Sequence, residues 1–186
     1  MKNNIVLIGF MGCGKTTIGN NLAKVLDFSF VDTDEKIEKD SQKTINEIFA
    51  AHGEEYFRNL ETKTIEKMAK EAEKTVISTG GGLPLREVNA DILKRTGFVV
   101  YLRVQGKTVE KRLQGDKTRP LLQGGNVSEK ITNLLNFRDP IYEYGAHMVL
   151  DVDDKTVEEI IEDIKRNFWI FAKVKQEQSC EETEEL

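Results

Sequence analysis

Five short apolar runs, separated by longer stretches of helical periodicity, organise this chain. Ile5-Val6-Leu7-Ile8 is unbroken and reads as a buried strand. Phe28 to Asp32, Thr75 to Thr79, Phe98 to Leu102 and Met148 to Val152 read as the second to fifth strands. After the first strand, Thr16 to Leu26 carries Ile18, Leu22 and Val25/Leu26 on one helical face. Phe57, Leu60, Ile65 and Met68 mark a second such face. A helix from about Ser128 places Ile131, Leu134, Leu135 and Arg138 on one stripe. The last helix opens on a capping box, Thr156 with Glu159, and buries Val157, Ile160, Ile161, Ile164 and Phe168. Strands alternating with amphipathic helices predict an α/β chain, three layers deep (α/β/α), with a parallel sheet covered on both faces.

Composition narrows this picture. The 186 residues suffice for one such domain and are short for two, so residues 1–175 read as a single domain. Residues 176–186 are acidic and nearly devoid of apolar side chains, which predicts a disordered, solvated tail. A net charge of −5 disfavours non-specific nucleic-acid binding. Cys13 and Cys180 are too far apart for a disulfide framework or a zinc spacing, and His52 and His147 are isolated. The first apolar run is too short to span a membrane and leads straight into a glycine-rich loop. No signal peptide, no membrane partner and a cytoplasmic address are therefore expected.

That loop carries the strongest chemistry. Residues 9–16, Gly-Phe-Met-Gly-Cys-Gly-Lys-Thr, match G-x-x-x-x-G-K-[ST] between a strand and a helix. The glycines let the backbone turn N–H groups onto one anion, and the helix start adds its dipole. Lys15 supplies charge for the outer phosphates of a nucleoside triphosphate, and the Thr16 hydroxyl suits magnesium. In the same positive field, Cys13 is expected to react with thiol reagents.

Four further stretches bear on a second substrate. Asp32 and Asp34 close the second strand, where one carboxylate can serve magnesium through water and the other can take a hydroxyl proton. Alternatively they cap the following helix. Arg138 on a core stripe and Arg58 on the margin of another each need an anionic partner, with Glu61 placed to orient Arg58. Each is either locally ion-paired or, together, they form a pocket for a small carboxylate. Thr79-Gly80-Gly81-Gly82 suggests a ligand against bare backbone. Residues 115–125 read either as a mobile basic flap carrying Arg119 or as an ordinary surface loop.

In combination these motifs closely resemble the shikimate kinases: GFMGCGKT, Asp-Thr-Asp, Phe57-Arg58-x-x-Glu61, STGGG, Arg119-Pro120-Leu121-Leu122 and Arg138-x-Pro140-x-Tyr142, from about Asn4 to Phe168. The resemblance implies a P-loop fold of the nucleoside-monophosphate-kinase type, with strand order 2-3-1-4-5. It also implies ATP-dependent phosphorylation of the shikimate 3-hydroxyl on the route to chorismate, by a monomer using Mg2+. It places Gly12, Cys13, Gly14, Lys15, Thr16, Thr17, Arg112 and Arg119 around ATP, with Arg112 packing on adenine. Thr16 and Asp32 fall to the metal. Asp34, Arg58, Gly80, Gly81, Gly82 and Arg138 fall to shikimate, and Lys15, Asp34 and Arg119 to catalysis. Two other readings stand beside it: a kinase for another sugar acid, such as gluconate, and a non-catalytic nucleotide-binding module.

Overall fold

The computed structural model describes residues 3–114 and 126–184, with 178–184 as helix backbone only. Its strands are β1 (Ile5–Ile8), β2 (Ser29–Asp32), β3 (Thr75–Ser78), β4 (Phe98–Arg103) and β5 (Met148–Asp151). All pair in parallel in the order β2-β3-β1-β4-β5. The unbroken apolar runs occupy the centre: every residue of β3 and β1 is buried, as is all of β4 but Arg103. The edge strands are less buried: β2 is exposed at Ser29 and half-buried beyond it, and β5 alternates between more and less covered residues.

The helices are α1 (Lys15–Leu26), α2 (Thr33–Ser41), α3 (Ile45–Glu71), α4 (Glu87–Thr96), α5 (Gly106–Leu113), α6 (Val127–Gly145) and α7 (Val157–Glu184). α1 packs on β3 and against α7, while α4 and α6 pack on β4 and on each other. The predicted stripes hold, with Ile18, Leu22, Ile131, Leu135, Ile160, Ile164 and Phe168 all buried. Val25 is the exception: it is 53% exposed, and Leu26 takes the packing position. Phe28 leaves β2 to meet Phe168 edge-on at 6.1 Å. The Thr156–Glu159 box closes in both directions, at 2.8 and 3.2 Å.

Two departures from expectation have physical causes. The acidic stretch from Gln176, expected to be a disordered tail, continues α7 as helix to Glu184. Lys, Gln and Glu are strong helix formers, and no Gly or Pro follows Phe168 to stop the helix. In α3, Gly53 (φ 80, ψ 176) breaks the helical backbone. The first segment of α3 opens on a Thr44–Glu47 capping box and joins α2 in a separate small core of Ile37, Ile48 and Phe57. Arg58 follows that break by little more than a turn. Because every strand is parallel, all five carboxyl ends meet at one edge, where the loops of interest converge.

Candidate active site

The phosphate loop leaves β1 with three glycines at positive φ: Gly9 (141°), Gly12 (78°) and Gly14 (102°). Side chains resist that region, so the loop needs glycine at these places. No side chain caps α1, and its first turn holds no acid. The first helical bond runs from Ile18 N–H to the Gly14 carbonyl (2.9 Å), so the N–H groups of residues 15–17 have no partner within the helix. The result is an anion site by backbone geometry alone. Lys15 Nζ donates to the carbonyls of Gly9 (2.8 Å) and Phe10 (3.0 Å). Cys13 departs from expectation. It is 1% exposed, packs in the main core and accepts from Lys15 Nζ at 3.6 Å. Its N–H is engaged by the Phe10 carbonyl at 3.2 Å. Cys13 therefore shapes the loop, and a bulky reagent has little access to its sulfur.

The aspartate pair caps the following helix and also faces the phosphate loop and the glycine run. β2 ends at Asp32 and α2 begins at the next residue, so the two carboxylates are not on one strand. Asp32 Oδ1 caps α2 by accepting from Asp34 N–H (3.0 Å). Its Oδ2 accepts from Ser78 Oγ (2.8 Å) and Thr16 Oγ1 (3.4 Å). Asp34, in the first turn of α2, reaches the glycine run instead.

The glycine run explains its own composition. Gly80, Gly81 and Gly82 all lack positive φ, so their backbone would accept other residues, and at Gly80 and Gly82 the requirement is steric. A Cβ on Gly80 would stand 2.4 Å from Asp34 Oδ1, and one on Gly82 would stand 2.1 Å from Arg58 Nη1. One on Gly81 would meet Arg138 Nη1 and the Tyr142 hydroxyl at 3.7 Å each. The bare Cα positions of Gly80 and Gly82 thus admit the Asp34 carboxylate from α2 and the Arg58 guanidinium from α3, and Arg138 from α6 comes within ordinary contact range of the strip at Gly81. Thr33 Oγ1 accepts from Gly80 N–H (2.9 Å) and fixes the strip from the β2 side.

The two arginines differ electrically. Arg58 donates from Nε and Nη2 to Glu54 (3.2 and 2.8 Å) and from Nη1 to Glu61 (2.7 Å). The local ion pair is therefore real, yet three bonds leave two of the five guanidinium N–H groups for a ligand. Glu61 is 1% exposed, and burial pushes its pKa to about 7 against the pull of Arg58. Pairing with Glu61 and Glu54 outweighs burial at Arg58 and raises its pKa. Arg138 is 5% exposed and makes no ion pair among the described residues. Its guanidinium lies over the Phe10 ring at 5.5 Å, and its Nε has no hydrogen-bond partner.

A cavity of about 550 Å3 runs along this edge. Gly12, Cys13, Gly14, Lys15, Thr16, Thr17, Asp32, Asp34, Gly80, Gly81 and Arg112 line it, while Arg58, Gly82 and Arg138 stand beyond its rim. Arg112 reaches it from α5 and donates to the Gly12 carbonyl (2.9 Å). Arg119 and the rest of 115–125 lie outside the described residues. Sequence reasoning missed Ser78, Thr33, Val152 and Lys155. Ser78, Val152 and Lys155 line the cavity and Thr33 buttresses it. Ser78 and Thr33 stood inside the STGGG and Asp-Thr-Asp runs with no role given to them, and the one signal of Val152 and Lys155 was position, at or just past the carboxyl end of a strand. Among the described residues no cluster of three His, Cys, Asp or Glu residues could hold a metal. Thr16, Asp32 and Ser78 instead form an all-oxygen set, the hard donors that magnesium takes beside phosphate oxygens.

Comparison with known proteins agrees with this arrangement. The family model described as shikimate kinase matches residues 11–168. A shikimate kinase of Caldanaerobacter subterraneus is 41% identical over 89% of this chain and 95% of its own. One from Caldicellulosiruptor bescii is 47% identical over 75% of this chain and 81% of its own. Among solved structures, the Acinetobacter baumannii shikimate kinase in complex with shikimate superposes with a TM-score of 0.85. It is 36% identical and covers 91% of this chain and 94% of that one. On the sheet order, the phosphate loop and these matches together, the chain belongs to the shikimate kinase family.

Proposed function

We propose that this protein transfers the terminal phosphoryl group of ATP to the 3-hydroxyl of shikimate, a step on the route to chorismate and the aromatic amino acids. The observation that carries this reading is the strip of Gly80, Gly81 and Gly82. One carboxylate and two guanidinium groups meet it beside an anion-binding helix start. A small hydroxylated acid is what such a surface fits.

In this mechanism the residue 15–17 amides and Lys15 hold the phosphates in line with the acceptor. Thr16 and Asp32 would hold Mg2+, which when bound neutralises charge on the outer phosphates. Arg58 and Arg138 grip the shikimate carboxylate and so aim its 3-hydroxyl at the phosphorus. As the acceptor oxygen bonds to phosphorus, the bond to the bridging oxygen of ADP breaks and Asp34 takes the hydroxyl proton. Arg112 packs on adenine, supported by its place at the cavity beside Gly12. Arg119 acts on the transferring phosphoryl from a lid over 115–125, on the strength of its motif. Work as a monomer in the cytoplasm completes the proposal. No helix among the described residues is long and apolar enough to cross a membrane.

The test is a coupled assay of ADP release with ATP, Mg2+ and a panel of small hydroxy acids. Shikimate is expected to be turned over at least a hundredfold faster than gluconate, in line with the penalty for leaving a site's polar groups unpaired. Equal turnover of gluconate, or ADP release independent of any acid, would sink the proposal.

A further inference from the structure

Arg138 and Tyr142 stand at i and i+4 on α6, so their side chains lie one above the other, and both are buried. The Tyr142 hydroxyl donates to the Gly81 carbonyl at 2.6 Å, across 61 residues of sequence. The Arg138 guanidinium abuts the same hydroxyl, both groups sitting 3.7 Å from the position of an added Gly81 Cβ. Burial pushes the Tyr142 pKa up to about 12, with Arg138 pulling the other way. At neutral pH the group is therefore a protonated hydroxyl that gives its hydrogen to Gly81 and offers lone pairs to Arg138.

The rest of the surroundings hold this hydroxyl in place. The Tyr142 ring packs on Tyr101 with centroids 5.1 Å apart. Tyr101, from β4, donates its own hydroxyl to Asp139 at 2.6 Å, which fixes α6 in rotation next to Arg138. Asp139 is thereby engaged away from Arg138. A neutral acceptor orients a guanidinium without cancelling its charge, whereas the carboxylates around Arg58 do both.

We propose that Tyr142 is the positioning residue of the acid subsite. Its hydroxyl locks the Gly81 backbone and the Arg138 guanidinium to each other and leaves the Arg138 charge for the substrate carboxylate. This rests on the reading of Arg138 as a ligand of that carboxylate. It gives a task to the tyrosine of the Arg-x-Pro-x-Tyr run, which touches neither phosphate nor metal in the mechanism above.

Tyr142→Phe keeps the ring and its packing on Tyr101 and removes only the hydroxyl. Isothermal titration of the full chain should show shikimate bound about tenfold more weakly, the scale of one lost hydrogen bond to a charged group, with ATP unchanged. The methyl ester of shikimate, which has no carboxylate charge, should lose far less, so the preference for acid over ester should drop by a similar factor. In Tyr142→Phe/Arg138→Lys the two losses should not add. Equal weakening of acid and ester would make Tyr142 a packing residue and overturn the proposal. So would an acid affinity unchanged in Tyr142→Phe but lowered in Arg138→Lys, which leaves the proposed function standing. An Arg138→Lys variant that binds the acid like the parent overturns both.

Discussion

At the scale of single residues, the buried charges of the site are costly for the fold to hold. Among the described residues Arg138 is buried without a carboxylate, held by a ring face and a neutral hydroxyl, and such a charge destabilises the fold that contains it. Arg138→Met fills similar volume without charge. It should raise the stability of the protein measured without ligand by about 1–3 kcal/mol and abolish acid binding. Thermal melts with and without shikimate check this, and a lower melting temperature for the variant would show that Arg138 is already neutralised. Glu61 makes a prediction about pH. Its folded-state pKa, about 7, is above its ordinary value of 4.5, so the protonated form is favoured by folding. Its contribution to stability is full below pH 4.5 and is lost as pH rises through 7. Arg58, Asp34 and Arg86 face it, and a bound carboxylate adds one more negative charge beside Arg58. Acid binding should therefore take up a proton and weaken as pH rises from 6 to 8. Glu61→Gln should flatten that dependence, and a slope unchanged in Glu61→Gln would assign it to another group.

Among the elements, the strip after β3 organises the site, and its steric logic is testable. Gly82 has an ordinary backbone (φ −89, ψ −20), and an added methyl would strike the far end of the Arg58 side chain, which can move. Gly82→Ala should fold cooperatively and displace Arg58. Shikimate affinity should fall about tenfold or more, the scale of a lost charge-assisted bond, while ATP affinity holds. Parallel loss of both ligands would mean that the methyl disturbs the sheet edge rather than Arg58. How much of this the sequence revealed follows from the range of each interaction. The phosphate loop was legible because its signals are adjacent: apolar strand, glycines at fixed spacing, amphipathic helix. The two arginines were legible as misfits on apolar stripes, and Glu61 lies three residues from Arg58. Ser78 with Asp32, Gly81 with Tyr142 and Arg112 with Gly12 were not, since each joins segments 46 to 100 residues apart. Only the assembled sheet decides such pairs. Cys13 misled for the same reason: its place in the loop was clear from sequence, but its inward rotamer is set by the core behind it.

Over the whole molecule, strand order does what no single element can. With β1 between β3 and β4, the loops after β1, β2 and β3 lie side by side at one edge, so the phosphate loop, Asp32/Asp34 and the glycine strip share one cavity. That order came from the family resemblance and not from hydrophobic pattern, which is silent on which parallel strands are neighbours. The helical continuation to Glu184 lies beyond the residues matched by the family model. The central claim is that the site holds a hydroxy acid by its carboxylate and phosphorylates one particular hydroxyl. Phosphorus and proton NMR of the product formed from ATP, Mg2+ and shikimate by the purified full chain tests it most directly. The account predicts a single phosphate monoester, coupled to the proton on carbon 3 and formed in step with ADP. Inorganic phosphate as the main product, or ester spread over several hydroxyls, would contradict it.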